Sequence, residues 1–416
     1  MKNAATYMTG SVLAQALMLA AIPMLSRLYG PEDFGVFGLF SALLSIAGVA
    51  SCLRYELAIP LPGTRRQAAQ VFATGTVALL CVSLAVLIMV ILGHRQIAAW
   101  MDAPRLESLL WLLPVSVLGY GLYELLNYWT TRRGKFKALA VSHVLRAAGV
   151  TGTQMGAAAM PGGAAGLVLG QLTGQWVANF VLAWQALRQD RAVIASGFRV
   201  QRIREQARRY RSFARYGAPQ AVLNSASQAV PAIMLGWFFS PAIVGLYIMA
   251  QRVVSAPLTL IAQSLRQAML PHFARQHQAG LSLRPLLWKY TAGLALLGLP
   301  AVIVLLLFGE ELFSFVLGRE WAISGRYAAW LVIWLWAGMI NPPAVVVLTV
   351  LQKQRLQFAY EAALLLSRIA ALASAAWTKS AETTIIVFSI VGFAFNAGLI
   401  LLASSACRHI KAHPKS

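Results

Sequence analysis

The sequence predicts an all-α polytopic membrane protein of about twelve transmembrane helices, arranged as two parallel six-helix halves around a central cavity. Three observations carry that expectation: apolar runs of bilayer-spanning length from end to end, a one-sided distribution of basic residues, and similarity between the two halves of the chain. Of the 416 residues 59% are hydrophobic and only 12% are charged, with a mean hydropathy of +0.66. Soluble domains are usually about a quarter charged.

The predicted spans cover 7–28, 34–59, 68–93, 107–130, 138–160, 165–187, 217–239, 241–270, 286–308, 324–350, 357–378 and 382–406. Prolines are tolerated in membrane helices, so Pro23, Pro114, Pro231, Pro257, Pro300, Pro342 and Pro343 are read as kinks inside spans. The first segment resembles a signal peptide only superficially, because Gln15 interrupts its apolar stretch and related residues recur in the second half. Cys52, Cys81 and Cys407 have no disulfide or CxxC spacing.

Orientation follows from the loops. With the N-terminus inside, inner loops hold 23 of the 35 lysines and arginines, outer loops and the outer ends of spans hold 6, and the other 6 lie deeper in spans. By the positive-inside rule both termini are then cytoplasmic, which requires an even number of spans. The net charge of +22 is therefore a property of membrane loops and not a nucleic-acid signal. The longest inner loop, 188–216, is rich in arginine and suits an amphipathic helix lying against anionic headgroups.

Self-similarity divides the chain. At an offset of 210, Met24, Leu25, Pro31 and Gly35 align with Met234, Leu235, Pro241 and Gly245. At an offset of 222, Arg133, Phe136 and Arg146 align with Arg355, Phe358 and Arg368. The expected organisation is an N-terminal bundle over 1–187, a basic cytoplasmic linker over 188–216, and a C-terminal bundle with a short tail over 217–416. Parallel repeats of this kind place a substrate near midplane between the halves, and rocking moves it across.

Charges inside spans mark the candidate site, since Arg at a helix centre costs about 2.5–3.5 kcal/mol on insertion scales. Arg146, Arg368 and Arg252 lie deepest, and Arg54 and Arg266 lie near the inner ends of their spans. Guanidinium forks hold phosphate bidentately and stay charged, so this set suits an anionic substrate. Glu124, Glu361 and Glu56 are the candidates for ion coupling, or they neutralise neighbouring arginines. Gln15, Asn127, Asn224 and Gln228 are candidates for sugar contacts, although interhelical hydrogen bonding uses the same residue types. Gly166, Gly170 and Gly174 form a ladder for close helix packing. No P-loop, HExxH or nucleophile–base spacing occurs, so neither catalytic residues, a metal nor a cofactor is expected.

The segment 25–62 carries Leu28-Tyr29-Gly30-Pro31, Phe34-Gly35 and Arg54-Tyr55-Glu56 followed by Pro60. It resembles the opening helices of Wzx-type polysaccharide flippases, members of the multidrug/oligosaccharidyl-lipid/polysaccharide exporter superfamily. The resemblance implies a non-enzymatic flippase of the bacterial inner membrane that moves undecaprenyl-pyrophosphate-linked oligosaccharide units to the periplasmic leaflet, driven by an ion gradient. The product is then O-antigen of lipopolysaccharide, capsule or exopolysaccharide. Membrane lipids and the lipid-linked oligosaccharide are the expected partners, with a polymerase and chain-length regulator beside them and no nucleic acid. The rival on the same fold is a cation-coupled multidrug exporter, which needs acids in its cavity. A membrane glycosyltransferase or polymerase needs a large outer domain, and outer loops 94–106 and 309–323 are too short for one.

Overall fold

A computed structural model describes residues 2–158, 162–351, 353–373, 377 and 379–408. Among them the regular elements are helical, and the chain forms two compact units, Met1–Gly245 and Leu246–Ser416. The first half contributes α1 (Lys2–Leu28), α2 (Pro31–Ala50), α3 (Arg65–Trp100), α4 (Pro104–Leu109), α5 (Leu113–Arg132), α6 (Phe136–Ala157) and α7 (Ala164–Ala195). Then follow α8 (Val200–Arg209), α9 (Ala218–Phe238), α10 (Pro241–Gln278) and α11 (Arg284–Leu317). The last are α12 (Ala322–Ile340), α13 (Pro342–Val350), α14 (Gln354–Ala373) and α15 (Ala381–Arg408).

Among the described residues, eight helical segments are long and apolar enough to cross a membrane by themselves. Four expected spans correspond to α6, α7, α9 and α14; the described apolar stretch of α14, Ala362–Ala373, is shorter than a full span. Polar side chains in α6 and α7 are used between helices. Tyr29 donates to the Gln154 carbonyl at 2.6 Å, and Gln154 donates to the Leu167 carbonyl at 3.0 Å. The glycine ladder packs as expected: Gly170 and Gly174 lie against the backbone of α6 at Val150 and Arg146. Lipid-facing surface is recognisable on α3 and α11, where Leu80, Leu84, Leu92, Leu296 and Leu307 are exposed.

Helices α3, α7, α10 and α11 run seven to nine residues past the expected ends of their spans, and three other spans are shortened or broken. The second ends at Ala50, nine residues early, because Leu53 and Arg54 take left-handed backbone conformations (φ 48° and 62°). A short 3₁₀ turn, Tyr55–Ala58, follows, so Arg54 and Glu56 sit on a turn and not in a helix. Arg132 holds this turn by donating to the carbonyls of Pro60 at 2.8 Å and Pro62 at 2.6 Å. The fourth span is interrupted at Leu110–Leu112, and Pro114 occupies the first turn of α5. The tenth breaks at Asn341, and Pro342 starts α13. Proline lacks the amide that would continue either helix, whereas its ring suits a helix's first turn.

The basic segment folds as α8 and a π-helical turn, Phe213–Gly217. Its inner side is polar: Gln206 donates to Gln70 of α3 at 3.0 Å, and Tyr55 donates to the Ala207 carbonyl at 3.4 Å. Nearby, buried Asp190 of α7 accepts from Arg133 at 2.9 Å and from Trp129 at 3.3 Å. Asp190→Ala strands both donors in a largely buried setting. Breaking such a pair costs about 3–5 kcal/mol, and a thermal melt of the solubilised protein should fall sharply. An unchanged melting temperature would show that the pair is solvated.

Candidate functional site

The first unit gathers several of the sequence-predicted charges on one polar surface. Side chains four residues apart share a helix face, which places Ser41 and Ser45 of α2, Ser116 and Tyr120 of α5, and Gln171 and Gln175 of α7 together. With Arg146 of α6 they line a cavity of about 450 Å³. A second cavity, about 440 Å³, is lined by Gly48, Ser51, Arg54, Glu56, Tyr120 and Glu124. Tyr120 is common to both. Gly48 leaves room for its ring, since a β-carbon there would stand 3.0 Å from the Tyr120 Cδ1.

Arg146 lies with its guanidinium carbon 5.3 Å from the Tyr123 ring centre, a cation–π contact that supports the head without neutralising it. Arg54 and Glu56 form an ion pair at 3.5 Å, with the Glu56 side chain only 4% exposed. Of the two readings for Glu56, neutralisation of an arginine therefore has a direct geometric counterpart. Glu124 lines the same cavity, and among the described residues no cation lies within ion-pair distance of it. This surface holds two arginines and two glutamates, so its formal charges balance when all are ionised. An anion entering it meets Arg146 with hydroxyls and amides around it, while Arg54 is already engaged by Glu56.

The remaining described candidates of the first unit do not line this surface. In the second unit, Arg368 of α14 is buried, its guanidinium carbon 5.0 Å from the Trp334 ring and 5.7 Å from that of Phe388. Both repeat-related arginines thus rest on aromatic rings, but Arg146 opens on a cavity whereas Arg368 is covered. Arg252 is half-buried on α10. Gln15 and Asn127 are half-buried and Asn224 and Gln228 are exposed; none lines either cavity. The side chains of Arg266 and Glu361 lie outside those described. Ser41, Ser45 and Ser116 escaped the sequence reading, although the i, i+4 serines of α2 were a usable signal.

A family model described as polysaccharide biosynthesis protein matches residues 24–325. A search among curated proteins finds no match. Among solved structures, the chain is similar to lipid II flippase MurJ in an inward closed conformation, with TM-score 0.75 and 12% identity. That match covers 97% of this chain and 89% of the other. It is also similar to an inward-facing multidrug resistance transporter of the MATE family, with TM-score 0.71 and 14% identity over 98% and 96% of the two chains. A variant of the Vibrio cholerae MATE transporter VcmN matches with TM-score 0.56 and 14% identity, over 98% and 96%. At these identities the likeness concerns the fold alone, a twelve-helix, multi-pass membrane architecture.

Proposed function

The chain belongs to the polysaccharide biosynthesis protein family, and from that premise we propose that it flips undecaprenyl-pyrophosphate-linked oligosaccharide units from the cytoplasmic to the periplasmic leaflet. It acts as a transporter and not as an enzyme, in the bacterial inner membrane with both termini cytoplasmic. In this reading 1–187 and 217–416 are the two halves, 188–216 joins them, and alternating access carries the substrate past a site between leaflets.

The observation that supports it most is the placement of Arg146 in a cavity lined with serines, glutamines and Tyr120. An arginine fork meets a diphosphate, and hydroxyl and amide groups meet sugar hydroxyls. Arg252, Arg368 and Arg266 are the further substrate candidates, with Gln15, Asn127, Asn224 and Gln228 for the sugar. Glu124 is the foremost candidate for ion coupling, and Glu56 and Glu361 follow. The polymer is O-antigen, capsule or exopolysaccharide, built with a polymerase and a chain-length regulator of the same pathway.

A second reading, a cation-coupled multidrug exporter, is favoured by one observation: Glu124 lies in the first-unit cavity without a paired cation among the described residues. Deleting the chromosomal copy separates the two. The flippase reading expects loss of surface polymer, accumulation of lipid-linked units in the inner leaflet and unchanged drug susceptibility. A deletion strain that keeps its polymer and becomes drug-sensitive replaces it with the exporter.

A further inference from the structure

We propose that α8 and the turn that follows it carry a docking strip for anionic phospholipid headgroups, separate from the cavities of the transport site. The strip is Arg204, Arg208 and Arg211, all exposed and spaced i, i+4 and i+7 along one flank of the segment. The opposite flank is already occupied: Arg202 pairs with Glu205 at 3.0 Å, and Arg209 lies 5.6 Å from the Tyr210 ring centre. Among the described residues no carboxylate lies within ion-pair distance of Arg204, Arg208 or Arg211. Like charges at i, i+4 disfavour a helix, so an anion bridging them relieves a repulsion that the fold otherwise carries.

Position selects the occupant. The segment lies between the end of α7 at Ala195 and the start of α9 at Ala218, and it is fixed to the first turns of α3 by Gln206 and Gln70. A helix tethered at both ends to spanning helices stays at the bilayer surface. Beside the arginines, Phe198 and Val200 are 47% and 70% exposed, apolar groups that suit an interfacial layer better than water or nucleic acid. The strip also sits on the side that carries most of the basic residues, where anionic headgroups concentrate them further.

The test titrates fluorescently labelled phosphatidylglycerol into the full-length chain in a neutral detergent, with labelled phosphatidylcholine as control. Each arginine near an anionic surface contributes roughly fivefold, so the triple variant Arg204→Gln, Arg208→Gln, Arg211→Gln should bind phosphatidylglycerol on the order of 100-fold more weakly. The matching triple Lys variant should retain most of the binding, and added salt should weaken it. Phosphatidylcholine binding should not change in any variant. If the triple Gln chain melts early, Arg208→Gln alone is used, with a loss of about fivefold expected. Wild-type affinity in the Gln variant overturns the proposal, and so does an equal loss in the Lys variant. Displacement of the lipid by a single-stranded oligonucleotide at lower concentration than unlabelled phosphatidylglycerol assigns the strip to nucleic acid and also overturns it.

Discussion

Arg146→Ala is expected to remove most of the surface polymer while leaving the protein at its normal level in the membrane. Arg146 is half-buried, opens on the cavity of α2, α5, α6 and α7, and is supported by the Tyr123 ring. Its removal leaves no stranded ion pair among the described residues, so folding should tolerate the change. A hydrogen bond to a charged group contributes about 1.5–3 kcal/mol, which is roughly 10- to 150-fold in occupancy by a diphosphate. Arg146→Lys keeps the charge but loses the fork, and should restore part of the polymer. The repeat-related Arg368 makes the opposite prediction. Buried against Trp334 and Phe388, it contributes a desolvated cation–π contact of about 2 kcal/mol, so Arg368→Ala should lower the melting temperature first. Polymer and melting temperature are measured together for each variant. Full polymer in Arg146→Ala cells would remove Arg146 from the substrate path.

Much of this was legible in the sequence, and what was not has an identifiable physical reason. Hydropathy marks a span wherever a helix faces lipid, as α3 and α11 do with their exposed leucines. It does not mark where the backbone turns within an apolar stretch. Residues 51–59 are apolar enough to extend α2, but the left-handed Leu53 and Arg54 end it, and Arg132, seventy residues away, fastens the chain that follows at Pro60 and Pro62. Arg146 stood out because charge is costly at that depth, but its serine neighbours are ordinary in membrane helices and carried no comparable signal. The arginines of α8 were visible as a basic helix. Its fastening through Gln206 and Gln70 depends on a contact across 136 residues that no local pattern encodes.

Pro31 and Gly35 aligned with Pro241 and Gly245 as sequence, and the same four residues meet in space within the first unit. A β-carbon at Gly35 would overlap the carbonyl oxygen of Pro241, and one at Gly245 would overlap that of Pro31. The contact is reciprocal, backbone against backbone, at the first turns of α2 and α10. Small residues permit such approach between membrane helices, and no side chain can rotate away to make room. Overpacking usually costs about 1–3 kcal/mol when neighbours can adjust. Here carbonyl groups cannot, so Gly35→Val should exceed that range, leaving little monodisperse protein on solubilisation and no surface polymer. Gly35→Ala should lower the melting temperature substantially and Gly245→Ala comparably. The double Ala variant should lose less than the sum, because one separation of the helices accommodates both methyl groups. Gly152→Ala and Gly156→Ala in α6, where a β-carbon meets nothing within 4 Å, are the controls and should melt at or above wild type. A Gly35→Val protein that melts like the controls would mean that α2 and α10 do not cross at this point.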